Sequence, residues 1–222
     1  MPKIYIIDKP RLSCYNSRNR KSKDFFMEFY VNNEKLDIVL ENEKTVGDVL
    51  KSFEAECAKN DATTIHIVLN GKNIGAGEFE SIFQEALTDS TKLELTIITK
   101  GEILSSFQAQ KLECETLSNE LLELSVKLQG GKDKEATVLI SKLADFIESF
   151  CHTATLSALF QDIYQKLTID GKNINEFFQD FSGILNDFEQ AIASKDTVLM
   201  GDLAEYEISP RLLSIANTIK EL

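Results

Sequence analysis

Lys92-Leu-Glu-Leu-Thr-Ile-Ile-Thr-Lys-Gly-Glu-Ile-Leu-Ser-Ser-Phe107 changes its periodicity half way along. Up to Ile98 apolar and polar residues alternate, as in a strand with one buried face. From Gly101 the apolar residues recur every three or four positions, beginning with Ile103 and Phe107, as in an amphipathic helix. Strand signals lie on the N-terminal side of this switch and helix signals on the C-terminal side. The segregation predicts an α+β chain, with a β-rich domain over 25–100 and an α-helical domain over 101–222.

Working back from Leu93, Ile65-His-Ile-Val-Leu69 reads as a strand turned by Asn70-Gly71, and Phe79, Ile82 and Phe83 suggest a short helix. Thr45 is placed to cap a helix whose apolar positions are Val46, Val49, Leu50, Phe53 and Cys57. Phe26-Met-Glu-Phe-Tyr-Val31 and Leu36-Asp-Ile-Val-Leu40 are strand-like, and Asn32-Asn33-Glu34-Lys35 between them is a hairpin signal. The predicted order is β-β-α-β-(short helix)-β.

With that order, several stretches carry a resemblance to the ubiquitin-like β-grasp fold across residues 27–100. They are Met27-Glu-Phe-Tyr-Val, Thr45-Val-Gly-Asp-Val-Leu-Lys, Val68-Leu-Asn-Gly-Lys-Asn-Ile and Ser90-Thr-Lys-Leu-Glu-Leu-Thr-Ile. The resemblance implies a fold and no particular activity. A conjugated modifier of that family needs a free C-terminal Gly-Gly. Here Lys100-Gly101 runs on into a helix, and Gly130-Gly131 is internal. The outward positions by alternation, His66, Val68, Glu94, Thr96 and Ile98, are mixed in character, unlike the apolar recognition patch of ubiquitin.

Beyond Gly101, Ile103, Phe107, Gln110, Cys114, Leu117, Leu121, Leu124 and Leu128 predict one unbroken helix over 102–128 with a coiled-coil-type seam. A structural homodimer through that helix is one alternative reading of function. Gly130-Gly131 ends the helix. A second helix presents Val138, Leu139, Leu143, Phe146, Ile147 and Phe150, and either continues or breaks near Thr153. Asp170-Gly171 is a turn, and Asn173 caps a helix whose Ile174, Phe177, Phe178, Phe181, Leu185, Phe188 and Ile192 form an aromatic stripe. Asp196 caps a last helix from Thr197 to Glu207, after which Ser209-Pro210 either kinks it or starts a fresh turn. Short connections predict an antiparallel helical bundle. Gly-Lys-Asn-Ile, at 71–74 and again at 171–174, reads as recurrent turn chemistry rather than duplication. The segment from Lys195 to Leu212 resembles small helical proteins encoded near bacterial motility genes, which implies an assembly factor or export chaperone.

The chemistry-bearing residues are sparse. The two histidines, His66 and His152, fall in different predicted domains, and the four cysteines form no CxxC pair, so no metal, cofactor or nucleophile site is expected. Gly71 to Gly77 lacks the spacing of a phosphate loop. Asp202, Glu205 and Glu207 cluster with Tyr206 as an acidic surface, and an enzyme using an unrecognised carboxylate site is the second alternative. Of the net charge of −12, residues 1–24 hold seven Lys/Arg against two Asp and form a basic, disordered-looking tail, with Met27 a possible alternative start. Residues 25–222 therefore carry −17, which disfavours nucleic acid and anionic membranes. No apolar run is long enough to span a bilayer, and nothing marks export. These features predict a non-enzymatic cytoplasmic adaptor or chaperone-like binder whose partner is another protein. The expected contact residues are Phe177, Phe178 and Phe181, where adjacent phenylalanines cannot share one core direction, with Asp202, Glu205 and Tyr206.

Overall fold

The computed structural model describes residues 5–6, 27–40 and 42–222. The basic stretch over 7–24, and the first residues of the strand expected from Phe26, lie outside the described residues. The chain divides into two compact units, Met1–Thr99 and Lys100–Leu222. It is α+β, with a mixed sheet in the first unit and a helical second unit.

In the first unit the strands are β1 (Tyr5–Ile6), β2 (Glu28–Val31), β3 (Glu34–Lys35), β4 (Ile38–Val39), β5 (Ala62–Leu69), β6 (Lys72–Asn73) and β7 (Lys92–Thr99). Helix α1 (Val46–Lys59) follows β4. A single 3-10 turn, Ala76–Glu78, leads into α2 (Phe79–Phe83). Five strands pair in the order β3-β2-β7-β5-β6. The central pair, β2 with β7, is parallel and the other pairs are antiparallel. The short β1 and β4 pair separately.

The hairpin differs from the expected pairing of 26–31 with 36–40. Asn32 and Asn33 both have positive φ, 48° and 67°, so the chain reverses within two residues and pairing resumes at Glu34. Leu36 still donates from its N–H to Phe29 O, and Ile38–Val39 then leaves to meet β1. Strand β5 starts at Ala62, three residues before the stretch read from sequence. A bulge between Thr64 and His66 leaves Ile65 exposed and interrupts the alternation that would have marked its start.

Thr45 caps α1 as expected. Its side chain accepts from Asp48 N, and the Asp48 carboxylate accepts from the backbone N–H of Thr45 and Lys44, a reciprocal capping box. Val46, Val49, Leu50, Phe53 and Cys57 pack into the core with Phe29, Leu69, Leu93 and Leu95. Phe29 meets Phe53 edge to face at 5.2 Å.

The second unit contains α3 (Lys100–Leu121), α4 (Leu124–Gln129), α5 (Asp133–Ser157), α6 (Gln161–Tyr164), β8 (Thr168–Ile169), β9 (Lys172–Asn173), α7 (Ile174–Ser194), α8 (Thr197–Asp202) and α9 (Ser209–Lys220). A π-helical stretch, Leu203–Ile208, joins α8 to α9. Helix α3 packs along both α5 and α9. Its seam of Ile103, Phe107, Gln110, Cys114, Leu117 and Leu121 is buried there, Phe107 completely.

Two expectations change here. The helix read over 102–128 breaks at Leu122-Glu123, because α4 turns aside to pack on α8. The seam read as a dimer face is already filled by α5 and α9 of the same chain. Gln110, its polar interruption, donates from Nε2 to Ser149 Oγ at 3.0 Å and Thr153 Oγ1 at 2.8 Å, which fixes the register of α3 on α5. Helix α5 itself runs through Thr153 without a break.

Pro210 falls in the first turn of α9, as the fresh-turn alternative has it, and helical structure runs past the expected end at Glu207. Proline lacks the N–H for an i to i−4 bond, and its ring crowds the carbonyl of Tyr206. The wider π-helical turn just before it relieves that crowding. Arg211 Nη1 donates to Glu207 O at 2.8 Å, and helical structure continues to Lys220.

Candidate functional site

The six residues expected to contact a partner do not form one surface. Phe177 is 3% exposed and Phe181 2%, both within the interior of the helical unit. Phe178 is half-buried, with its ring edge-on to Phe150 at 5.7 Å and 6.1 Å from Phe177. Adjacent phenylalanines share the interior because Phe178 leans sideways onto α5 while Phe177 and Phe181 point inward. Phe177 and Phe181 are therefore core, while Phe188, farther along the same stripe, borders an opening towards α5.

Asp202, Glu205 and Tyr206 do reach solvent, with Tyr206 65% exposed. The side-chain hydrogen bond from Tyr206 to Glu205, and then the Glu205 charge, push the phenol above its ordinary value. Glu207, beside them, is ion-paired to Arg211 at 2.7 Å. Among the described residues no three His, Cys, Asp or Glu side chains are grouped to hold a metal ion. His66 and His152 are both exposed and lie in different units. Cys57 and Cys114 are buried. Desolvation first, and neighbouring glutamates second, push their thiols up to about 11 and about 12, so neither is a ready nucleophile.

Helices α5 and α7 touch where the ring of Phe178 meets that of Phe150. The gap beyond is a groove of about 400 Å³, lined by Ile140, Leu143, Ala144 and Ile147 from α5 and by Leu185, Phe188 and Ile192 from α7. Ala144 and Ile192 are exposed, and Ile140, Ile147 and Leu185 are half-buried. Its only ionisable lining residues are Glu148 and Glu189, one on each wall. Neither is in an ion pair with any of the described residues.

Two other openings carry less. One of about 700 Å³, beside Met27, Lys35 and Asp37, lies where the chain runs into residues outside the described set. Another of about 500 Å³ is lined by Glu120, Glu123, Lys127 and Lys142, which neutralise one another as ion pairs.

Sequence reasoning missed the α5–α7 groove, although a signal for it exists. Leu139, Leu143, Phe146 and Phe150 suffice for one buried face of α5. Ile140, Ala144, Ile147 and Cys151 form a second apolar row beside it at four-three-four spacing. A helix with two apolar rows needs two neighbours. Helix α3 packs on α5 beside the first row, while Ile140, Ala144 and Ile147 of the second line the groove shared with α7.

Among the described residues no helix is long and apolar enough to cross a membrane. Residues 27–99 match a family described as the TP0873 N-terminal domain, and residues 113–218 match a domain of unknown function, DUF8042. An uncharacterized protein of Treponema pallidum (strain Nichols) is 28% identical over 193 residues, covering 87% of this chain and 96% of that protein. A match of that length includes parts of both units of this chain. No solved structure matches the chain.

Proposed function

We propose that the protein is a non-enzymatic, cytoplasmic adaptor or chaperone-like binder. In this reading a β-grasp domain is followed by an antiparallel helical bundle, whose groove between α5 and α7 receives a helical segment of another protein. The sheet order β3-β2-β7-β5-β6, with its parallel central pair and α1 as the crossing helix, supports the β-grasp reading. The packing of α3 between α5 and α9 supports the bundle.

The groove is the observation that carries the function. Its floor is aliphatic and aromatic, two turns long on each wall, and open to water, which costs free energy unless something covers it. Helix-in-groove recognition uses such a surface, with anchors at i, i+3 or i+4, and i+7.

The test is site-specific photo-crosslinking in the native host. A photoreactive amino acid at Ala144 should give a discrete adduct with another protein. The same residue at Leu112, 67% exposed on α3, should not. Equal labelling at both positions, or none at Ala144, would remove the groove as a binding site.

A further inference from the structure

We infer that the groove selects a partner helix whose apolar stripe is flanked by lysine or arginine. This rests on reading the groove as a protein-binding site and adds the chemistry of what enters it. The walls run in opposite directions. From the Phe150–Phe178 contact, residue numbers fall along α5 to Ile140 and rise along α7 to Ile192. The eight residues from 140 to 147 and from 185 to 192 each span about 10 Å, room for two turns of a third helix.

The charges sit at the rims. Glu148 and Glu189 stand on opposite walls, both exposed, and among the described residues neither has a salt-bridge partner and no lysine or arginine lines the groove. Asp145, exposed one turn before Glu148, extends the acidic rim on α5. A helix lying in the groove therefore brings its two flanks against carboxylates of the same sign. Basic flanks gain there, while acidic flanks meet like charge on both sides.

The surrounding field has the same sign. Residues 100–222 hold eleven Lys/Arg against twenty Asp/Glu, a net −9, so a basic segment is attracted before contact. An anionic lipid surface is repelled by the same charges. A second copy of this chain, equally acidic, is a poorer occupant than a basic helix.

The test uses the full chain and two labelled synthetic helices of about 14 residues with the same Leu stripe. One carries Lys on both flanks and the other Glu. At low salt the Lys peptide should bind at least about five-fold more tightly, and the gap should shrink as salt rises. The exposed double reversal Glu148→Lys/Glu189→Lys should invert the preference. Ala144→Glu should weaken both peptides, with thermal melts confirming that each variant folds. Equal affinities, or a preference unmoved by the double reversal, would overturn the inference. So would a doubled mass by light scattering that Ala144→Glu reduces to one chain, since a second copy would then fill the groove. An adduct at Ala144 without binding of either peptide would overturn the partner chemistry and leave the protein-binding reading standing. Neither adduct nor binding would end both.

Discussion

Phe177 and Phe178 are neighbours in sequence with different surroundings, and the difference sets what each substitution does. Phe177 is enclosed, so Phe177→Asp buries a carboxylate without a partner and should abolish cooperative folding. Phe181→Ala should cost about 3–5 kcal/mol in urea melts, the range for an enclosed phenylalanine. Ala144→Glu, on the open groove, should leave the melting curve nearly unchanged. If Phe177→Asp folds normally, the stripe is not core and the groove assignment loses its frame.

The cysteines give a second residue-scale expectation. Thiols raised by burial keep their protons in the fold, so their contribution is fully present below the unfolded-chain value near 9. It declines as pH rises toward about 11 for Cys57 and about 12 for Cys114. Stability should accordingly fall above pH 9. A thiol reagent should label both cysteines slowly in the native protein and rapidly in denaturant; fast native labelling would contradict their enclosure.

At the scale of elements, the two Gly-Lys-Asn-Ile stretches build the same object. Leu69-Asn70-Gly71-Lys72 and Ile169-Asp170-Gly171-Lys172 are both two-residue hairpins, paired Leu69 with Lys72 and Ile169 with Lys172. Asn70 and Asp170 have φ near +50°, and Gly71 and Gly171 near +80°. Asn173 then caps α7 in a capping box with Glu176. Gly71→Ala and Gly171→Ala should each cost about 1–2 kcal/mol, the left-handed penalty for an L-residue. Sharply unequal costs would show that surroundings, not turn geometry, govern the two sites.

The element scale also shows what could be read from the sequence. The Thr45 and Asn173 caps and the apolar face of α1 follow from side-chain chemistry acting within one or two turns. The break at Leu122-Glu123 does not, because Leu121, Leu124 and Leu128 keep the helical spacing across it. What bends the chain there is long-range. Helix α4 packs on α8 where Gly201 admits Ser125, and a Cβ on Gly201 would stand 2.7 Å from Ser125 Cβ. Gly201→Ala should therefore destabilise by about 1–3 kcal/mol. The groove was illegible for a related reason. Periodicity marks apolar rows on α5 and α7 but does not say whether a neighbour covers them.

The whole molecule combines a strongly acidic composition with an apolar channel that no described residue covers in the helical unit. Burying such a channel supplies affinity, and the charges on its rims restrict which helices gain from entering it. The T. pallidum relative, similar across both units, offers a second chain in which the corresponding channel can be probed.

The most direct measurement is mass-spectrometric mapping of the adduct formed at Ala144 in the living host. The account predicts a single partner peptide in which apolar residues recur every three or four positions and lysine or arginine flanks them. It also predicts that the adduct is lost when Leu185→Asp is introduced into a chain that still melts cooperatively. Adducts scattered over unrelated peptides, or an adduct that survives Leu185→Asp, would contradict it.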